Sequence, residues 1–392
     1  MDDPWFSVVI PYSQRLPQLT GALTSLAEQT LNSADFEVVI GAIGYDQQFI
    51  STCEALADQL AIVTVMVSGE WNCSRARNSA LRQARGRVVV LLDADMAVPT
   101  TFLANLRDQH FAHDRNHCVL GQIVGYYDES GDVRFLEGAP PPYEHYRAAL
   151  ADLQANEPFR VDRRLSHPVL PWAMSWSGLV ALPLATIREH DLYFDERFRG
   201  WGWEDVEWGY RVWRTGTPIT IQEDVYGLHQ PHQSASSDSR ANRRYLLKKW
   251  PALEVEMWSA FGSAETIAGL DDLTREVTAI VGDDHTFGVL RGTVDGAAAL
   301  IVGVVLNSRR EPVDPDSLSL FDDGLDEVHP LVGMTLPYLD GDVERCLLLP
   351  PVRRLSPRYR EAILREARRV ARRAPETPQY ATASPADDGH GR

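Results

Sequence analysis

The chain has 392 residues, 44% of them hydrophobic and 24% charged, with a formal charge of −17, which leaves room for two or three domains at roughly 100–200 residues each. The acidic balance argues against a general nucleic-acid binder, which needs surplus Lys and Arg to neutralise phosphates. No apolar run reaches the roughly 18–20 residues of a membrane helix, the start Met1-Asp2-Asp3 is unlike a secretory signal, and the four cysteines are scattered without a CxxC, so a reduced, cytoplasmic protein without a disulfide framework or a cysteine zinc site is expected.

Over the first hundred residues strand and helix patterns alternate. Residues 6–10 form an apolar run ending at Pro11, as in a strand buried on both faces. Helical spacing follows over 16–31 (Leu16, Leu19, Leu23, Leu26), then a strand at 36–40, a helix at 51–60, a strand at 61–67, a helix at 74–85 ended by Gly86, and a strand at 88–92 stopping at Asp93. Alternation of this kind predicts crossover units and a mostly parallel sheet, with ligands beyond the carboxyl ends of its strands. Residues 125–172, with prolines at 140–142 and a basic stretch at 160–164, read as a long excursion of the kind that forms lids or binding loops. Order returns over 179–225. Past about residue 251, stretches 276–281, 287–291, 298–305 and 345–349 read as strands between Asp, Gly and Pro turns, and 356–373 as an Arg-rich amphipathic helix with Tyr359, Ile363 and Val370 on one side. The expected organisation is a catalytic α/β domain over 1–250, a smaller α+β accessory domain over 251–375, and a polar, disordered tail over 376–392. Residues 125–172 and the segment after 251 are expected to shape the choice of acceptor.

Three stretches carry chemistry. Asp93-Ala94-Asp95 follows a buried strand, where two carboxylates can hold a hard divalent cation and through it a diphosphate; a strand-end turn or helix cap is the alternative. Two other DxD tripeptides, Asp314/Asp316 and Asp340/Asp342, lie in Pro/Gly turns, where Asp is a common turn former. The second stretch runs from Phe198 to Arg211. Six of the ten tryptophans fall between Trp172 and Trp213, and flat rings with an N–H donor suit the C–H faces of sugars. Beside them Glu204-Asp205 offers adjacent carboxylates, one free to take a proton from an acceptor hydroxyl, although a Trp-rich core with acids capping the next helix would look the same. Third, His229-Gln230-Pro231-His232 follows a predicted strand. A histidine there can complete a cation site begun at Asp95, and mixed imidazole and carboxylate ligation suits manganese better than calcium. His110, His113 and His117 with Cys118 lie at near-helical spacing, read as a polar helix face ahead of a zinc site.

In this order the three stretches resemble the inverting glycosyltransferases of the GT-A fold, of the family 2, chondroitin-polymerase type, and the β-1,4-galactosyltransferases. Residues 8–15, VVIPYSQR, resemble their first strand and nucleotide-contacting loop. Arg75-Ala76-Arg77-Asn78 through Asp93-Ala94-Asp95 is similar to their "ARN…DxD" stretch, and Phe194 through Arg211 resembles "FDE-x-F-x-GWGGED-x-x-x-GYR". The likeness spans about residues 5–235. It implies a GT-A domain with a mostly parallel central sheet. It also implies nucleotide-sugar contacts at Pro11, Tyr12, Ser13, Arg15, Arg77, Asp93, Ala94 and Asp95. Mn2+ (or Mg2+) would sit on Asp95 and His229, with His232 as the other candidate. Asp205 would be the general base with Glu204 beside it, and the acceptor would lie against Trp176, Gly178, Trp201 and Trp203. The implied donor is a nucleoside-diphosphate sugar, most readily a UDP-sugar, and the acceptor a small molecule, peptide or glycan. Two departures stand out: residues 41–46 read GAIGYD where many family 2 members carry Asp-Asp-Gly-Ser, and Trp203 replaces the second Gly of the GWGG turn. A sugar nucleotidyltransferase would carry a glycine-rich, basic loop after the first strand, which 11–15 is not. A non-catalytic nucleotide-sugar-binding module would have no need of Asp205 and Asp95 together.

Overall fold

The computed structural model describes residues 3–125, 141–155, 170–232, 239–322 and 324–377. Most of the expected excursion, and the chain beyond residue 377, lie outside these described residues. Two compact units are present, Met1–Asn242 and Arg243–Arg392. Among the described residues no helix is long and apolar enough to cross a membrane.

The first unit alternates β1 (Phe6–Tyr12), α1 (Leu16–Ala27), β2 (Phe36–Ile43), α2 (Gln47–Ala55), β3 (Ile62–Val67), α3 (Cys73–Leu81), β4 (Val88–Leu92) and β5 (Met96–Ala97). It continues with α4 (Phe102–Asn105), β6 (Cys118–Val124), α5 (Tyr143–Ala155), β7 (Leu179–Pro183), α6 (Leu184–Glu189), α7 (Glu204–Arg214) and β8 (Ile219–His229). Its sheet has the order β3-β2-β1-β4-β7-β6-β8-β5. β3, β2, β1 and β4 are mutually parallel, as are β6 and β8, whereas β7 and β5 pair antiparallel with their neighbours. The result is the mixed, mostly parallel α/β sheet that the alternation predicts. β1 and β4 are buried along their whole length, which accounts for their unbroken apolar runs. α1 starts with a proline in its first turn, where the missing N–H costs nothing. The His110–Cys118 stretch forms no single helix: His110 lies in a π-helical turn, Leu106–Phe111, that continues α4, and Cys118 opens β6.

The second unit begins within α8 (Arg240–Lys249) and holds α9 (Leu253–Phe261), α10 (Ser263–Val281), β9 (Thr286–Val294), β10 (Ala297–Leu306), β11 (Leu325–His329), β12 (Arg345–Leu348) and α11 (Pro357–Val370). Its sheet runs β11-β9-β10-β12. β9 and β10 form a hairpin around Asp295-Gly296, both with positive φ, as a two-residue hairpin loop requires. The expectation of a strand over 276–281 is corrected here, because these residues are the last turns of α10. Its β-branched Val277 and Thr278 suggest strand locally, but Leu273 and Val277 are buried one helical turn apart and no breaker occurs before Gly282. α11 buries Tyr359, Ile363 and Val370, and its arginines form ion pairs such as Arg369 with Glu366 and Asp340. Glu376 pairs beside β12 and accepts from Arg345.

Candidate active site

The site is assembled by strand pairing. The two-residue β5 pairs with the end of β8 so that Met96 lies opposite His229, and the Gln230 N–H donates to the Asp95 carbonyl at 2.7 Å. This pairing brings Asp95, His229 and His232 together, with ligand atoms all within 4.8 Å of one another. His232 Nε2 lies 3.0 Å from Asp95 Oδ2, and His229 Nε2 lies 3.9 Å from Asp95 Oδ1. Ligand atoms about 2 Å from one ion stand roughly 3–4 Å apart, so one carboxylate and two imidazoles at these spacings could hold a divalent transition-metal cation. The chain behind them is locked by two glutamines: Gln18 donates to the Pro231 carbonyl at 3.0 Å, and Gln230 donates to the Gln18 carbonyl at 2.9 Å. Gly21 makes room for this lock, since a Cβ there would meet Gln230 Oε1 at 2.4 Å.

Arg15 reaches the same cluster. Its Nη1 donates to Asp95 Oδ2 at 2.7 Å and lies 3.0 Å from His232 Nε2. Burial alone would push the Asp95 carboxyl up, but His229, the His232 hydrogen bond and Arg15 together hold it well below the usual carboxylate range. Burial pushes the His229 imidazole down, toward the neutral form that ligates a metal.

A second cluster gathers around α3. Asn72 caps that helix, accepting from the Arg75 N–H, and donates to the carbonyls of Glu196 and Phe198. Asn78 donates to the Phe194 carbonyl and accepts from the Phe194 N–H. These bonds fasten the segment leading into α7 onto α3. Between the two anchors Arg77, only 3% exposed, extends Nη2 to Asp93 Oδ1 at 2.7 Å and Nη1 to Glu204 Oε1 at 3.6 Å. Glu204 and Asp205 open α7, where the helix dipole favours negative charge. Burial, reinforced by neighbouring Glu204, pushes the Asp205 carboxyl up to about 7, with Arg77 and the Val206 N–H pulling the other way. Burial also pushes Glu204 up, again against Arg77.

Residues 7–162 match the family described as Glycosyl transferase family 2. The validoxylamine A glucosyltransferase of Streptomyces hygroscopicus subsp. jinggangensis is 30% identical over 285 residues, covering 67% of this chain and 66% of that protein. The chain carries a family 2 glycosyl transferase domain. The hyaluronan synthase of Pasteurella multocida is 25% identical over 62% of this chain and 26% of its own length. The chain thus spans just under two thirds of its glucosyltransferase relative and about a quarter of the synthase. Among solved structures, S. aureus TarS 1–349 is similar with a TM-score of 0.44 and 18% identity, covering 70% of this chain and 74% of that one.

The expected residues separate into groups. Pro11 and Tyr12 end β1, and the Tyr12 ring is buried against Phe49, centroids 4.5 Å apart, with its hydroxyl donating to Asp46. Asp46 is committed as the N-cap of α2. Ser13 follows β1, and Arg15 and Asp95 meet in the cation cluster. Asp93 joins Arg77, next to Gly178, whose added Cβ would lie 3.1 Å from Asp93 Oδ2. Ala94 is buried. Trp201 is 60% exposed, whereas Trp176 and Trp203 are half-buried. Trp203 adopts φ 78° between Gly202 (φ 88°) and α7, a conformation that favours glycine. The other two DxD tripeptides are structural: Asp314 caps a 3-10 turn, and Asp340 and Asp342 pair with Arg369 and Arg291. The anchoring roles of Asn72 and Asn78 escape sequence reading, the visible signal of Asn78 being only its place within the ARN stretch.

Proposed function

We propose that this protein transfers a hexosyl group from a nucleoside-diphosphate sugar, with UDP-glucose the first candidate, to an acceptor hydroxyl with inversion at the anomeric carbon. The glucosyltransferase relative supports the choice of sugar and makes validoxylamine A, a small polyhydroxylated acceptor, the first one to test. In this reading Asp95, His229 and His232 hold Mn2+ or Mg2+, and Pro11, Ser13, Arg15 and Asp93 face the nucleotide. When bound, the cation neutralises charge on the departing diphosphate. Asp205 takes the proton of the acceptor hydroxyl. The acceptor oxygen then forms its bond to the anomeric carbon while the bond to the diphosphate oxygen breaks on the opposite face, so one displacement inverts that carbon. In this reading the exposed Trp201 offers its indole face to the acceptor ring, and Trp176, Trp203 and Gly178 are further acceptor candidates.

What carries this reading is the cluster of three metal-competent side chains together with the two carboxyls opening α7, of which burial pushes Asp205 up, toward the range in which a general base works best. The test is Asp205→Asn. Transfer should fall by about 10²–10⁴-fold, while UDP binding in Mn2+ by calorimetry stays within about threefold. Near-normal turnover in that variant would refute the assignment.

A further inference from the structure

We infer that Arg77 is a positioning residue of this domain: from beneath the site it anchors Asp93 and Glu204 and keeps Asp205 available as a proton acceptor near neutral pH. The inference rests on the proposed role of Asp205 and extends it. Resemblance alone would place Arg77 on the nucleotide sugar. The structure instead leaves its side chain only 4% exposed, with one amine of the guanidinium on Asp93 and the other on Glu204, and the guanidinium carbon 5.1 Å from the centroid of the Phe194 ring. α3 cannot carry it outward, because Asn72 and Asn78 pin that helix to residues 194–198. Burial disfavours the charge on Arg77, and the ion pairs with Asp93 and Glu204 favour it.

The charge balance gives Arg77 its role. Three carboxyls, Asp93, Glu204 and Asp205, surround one guanidinium. Arg77 contacts the first two directly, leaving Asp205 with a hydrogen bond from the Val206 N–H at 2.8 Å. The groups acting on Asp205 are Glu204 and the Val206 N–H from its own helix, Arg77 from α3, and Asp93 from the loop after β4. One buried cation shared among three acids leaves the set short of positive charge, and Arg77 makes its ion pairs with Asp93 and Glu204. Removing the cation leaves Glu204 uncompensated beside Asp205, and both effects favour the protonated carboxyl. The pH at which Asp205 can accept a proton then rises.

The test reads Asp205 directly, without turnover: its 13C carboxyl resonance, assigned by its loss in Asp205→Asn, is titrated in the wild-type protein, Arg77→Gln and Arg77→Lys. The Asp205 midpoint should rise by about 1–3 pH units in Arg77→Gln and less than half as far in Arg77→Lys, which keeps the charge. The acid limb of UDP-glucose turnover should move with it, losing about tenfold in rate per pH unit at a pH below the limb. A midpoint unmoved in folded Arg77→Gln, or moved equally in both variants, overturns the inference. If Arg77→Gln does not fold, Glu204→Gln decides: removing the like charge should lower the Asp205 midpoint by about one pH unit, and an unmoved midpoint again overturns it. A wild-type protein that turns over no sugar nucleotide would sink the proposed function and leave the titration result standing.

Discussion

Asn78→Ala probes the framework beneath the site. Asn78 is 1% exposed. It donates to the Phe194 carbonyl at 2.8 Å and to Glu196 Oε1 at 2.9 Å, and accepts from the Phe194 N–H at 2.7 Å. Phe194 in turn stacks on Trp208, centroids 5.4 Å apart and planes 7° apart, and Trp208 sits one turn past Asp205 on α7. Truncation removes three hydrogen bonds at about 0.5–1.5 kcal/mol each and strands a buried N–H and C=O that cost about 1–3 kcal/mol apiece when unmet. Because these terms overlap, the net expectation is a loss of roughly 3–5 kcal/mol. With a urea slope of about 2 kcal/mol/M, the midpoint of the transition followed by Trp fluorescence should fall by about 2 M. Turnover should fall further than stability accounts for, since the segment carrying Asp205 loses its anchor. A midpoint within about 0.5 M of wild type, with turnover unchanged, would refute the view that α3 holds the catalytic segment.

Two further predictions test other parts of the site. His232→Ala should weaken Mn2+ binding, measured by calorimetry without nucleotide, by at least about tenfold, whereas His113→Ala, on an exposed residue outside the cluster, should leave it unchanged; equal affinities would remove His232 from the ligand set. Because Trp203 holds φ 78°, Trp203→Gly should be more stable than Trp203→Ala by about 1 kcal/mol, reversing the usual advantage of Ala in thermal unfolding. The ordinary order, Ala above Gly, would show that the turn relaxes.

Much of the first unit is legible in the sequence because its signals are local. β1 and β4 announce themselves as apolar runs, and Asp93 and Asp95 follow directly from the end of β4. What stays hidden is whatever depends on distant pairing. The link between Asp95 and His229 runs through β5, a strand of two residues with no periodicity to detect, and a strand end alone does not show that His229 and His232 both come within 4.8 Å of Asp95. Asn78 carries no local mark of an anchor because its partners lie more than a hundred residues away. In the second unit the β-branched end of α10 misleads for the converse reason: local propensity is strand-like, and burial of one helical face overrides it. β11 escapes because Leu325–His329 carries two acids and only two aliphatic residues, and it becomes a strand by pairing with β9.

The position of the site follows from the strand order. From β1 the chain runs outward through β2 to β3 and then returns to place β4 on the other side of β1, which opens a crevice beyond the carboxyl ends of β1 and β4. The segments entering that crevice are residues 13–15 and 93–95, and they touch there through Arg15 and Asp95. Within the tripeptide the two acids then diverge. Asp95 turns to the histidines brought in by β8, and Asp93 to Arg77 and the acids of α7. Under the proposed function, this turn of three residues would serve both sides of a displacement at once, the departing diphosphate through Asp95 and the incoming hydroxyl through the group around Arg77. That division sets Asp93/Asp95 apart from the other two DxD tripeptides, whose acids meet an arginine or cap a turn.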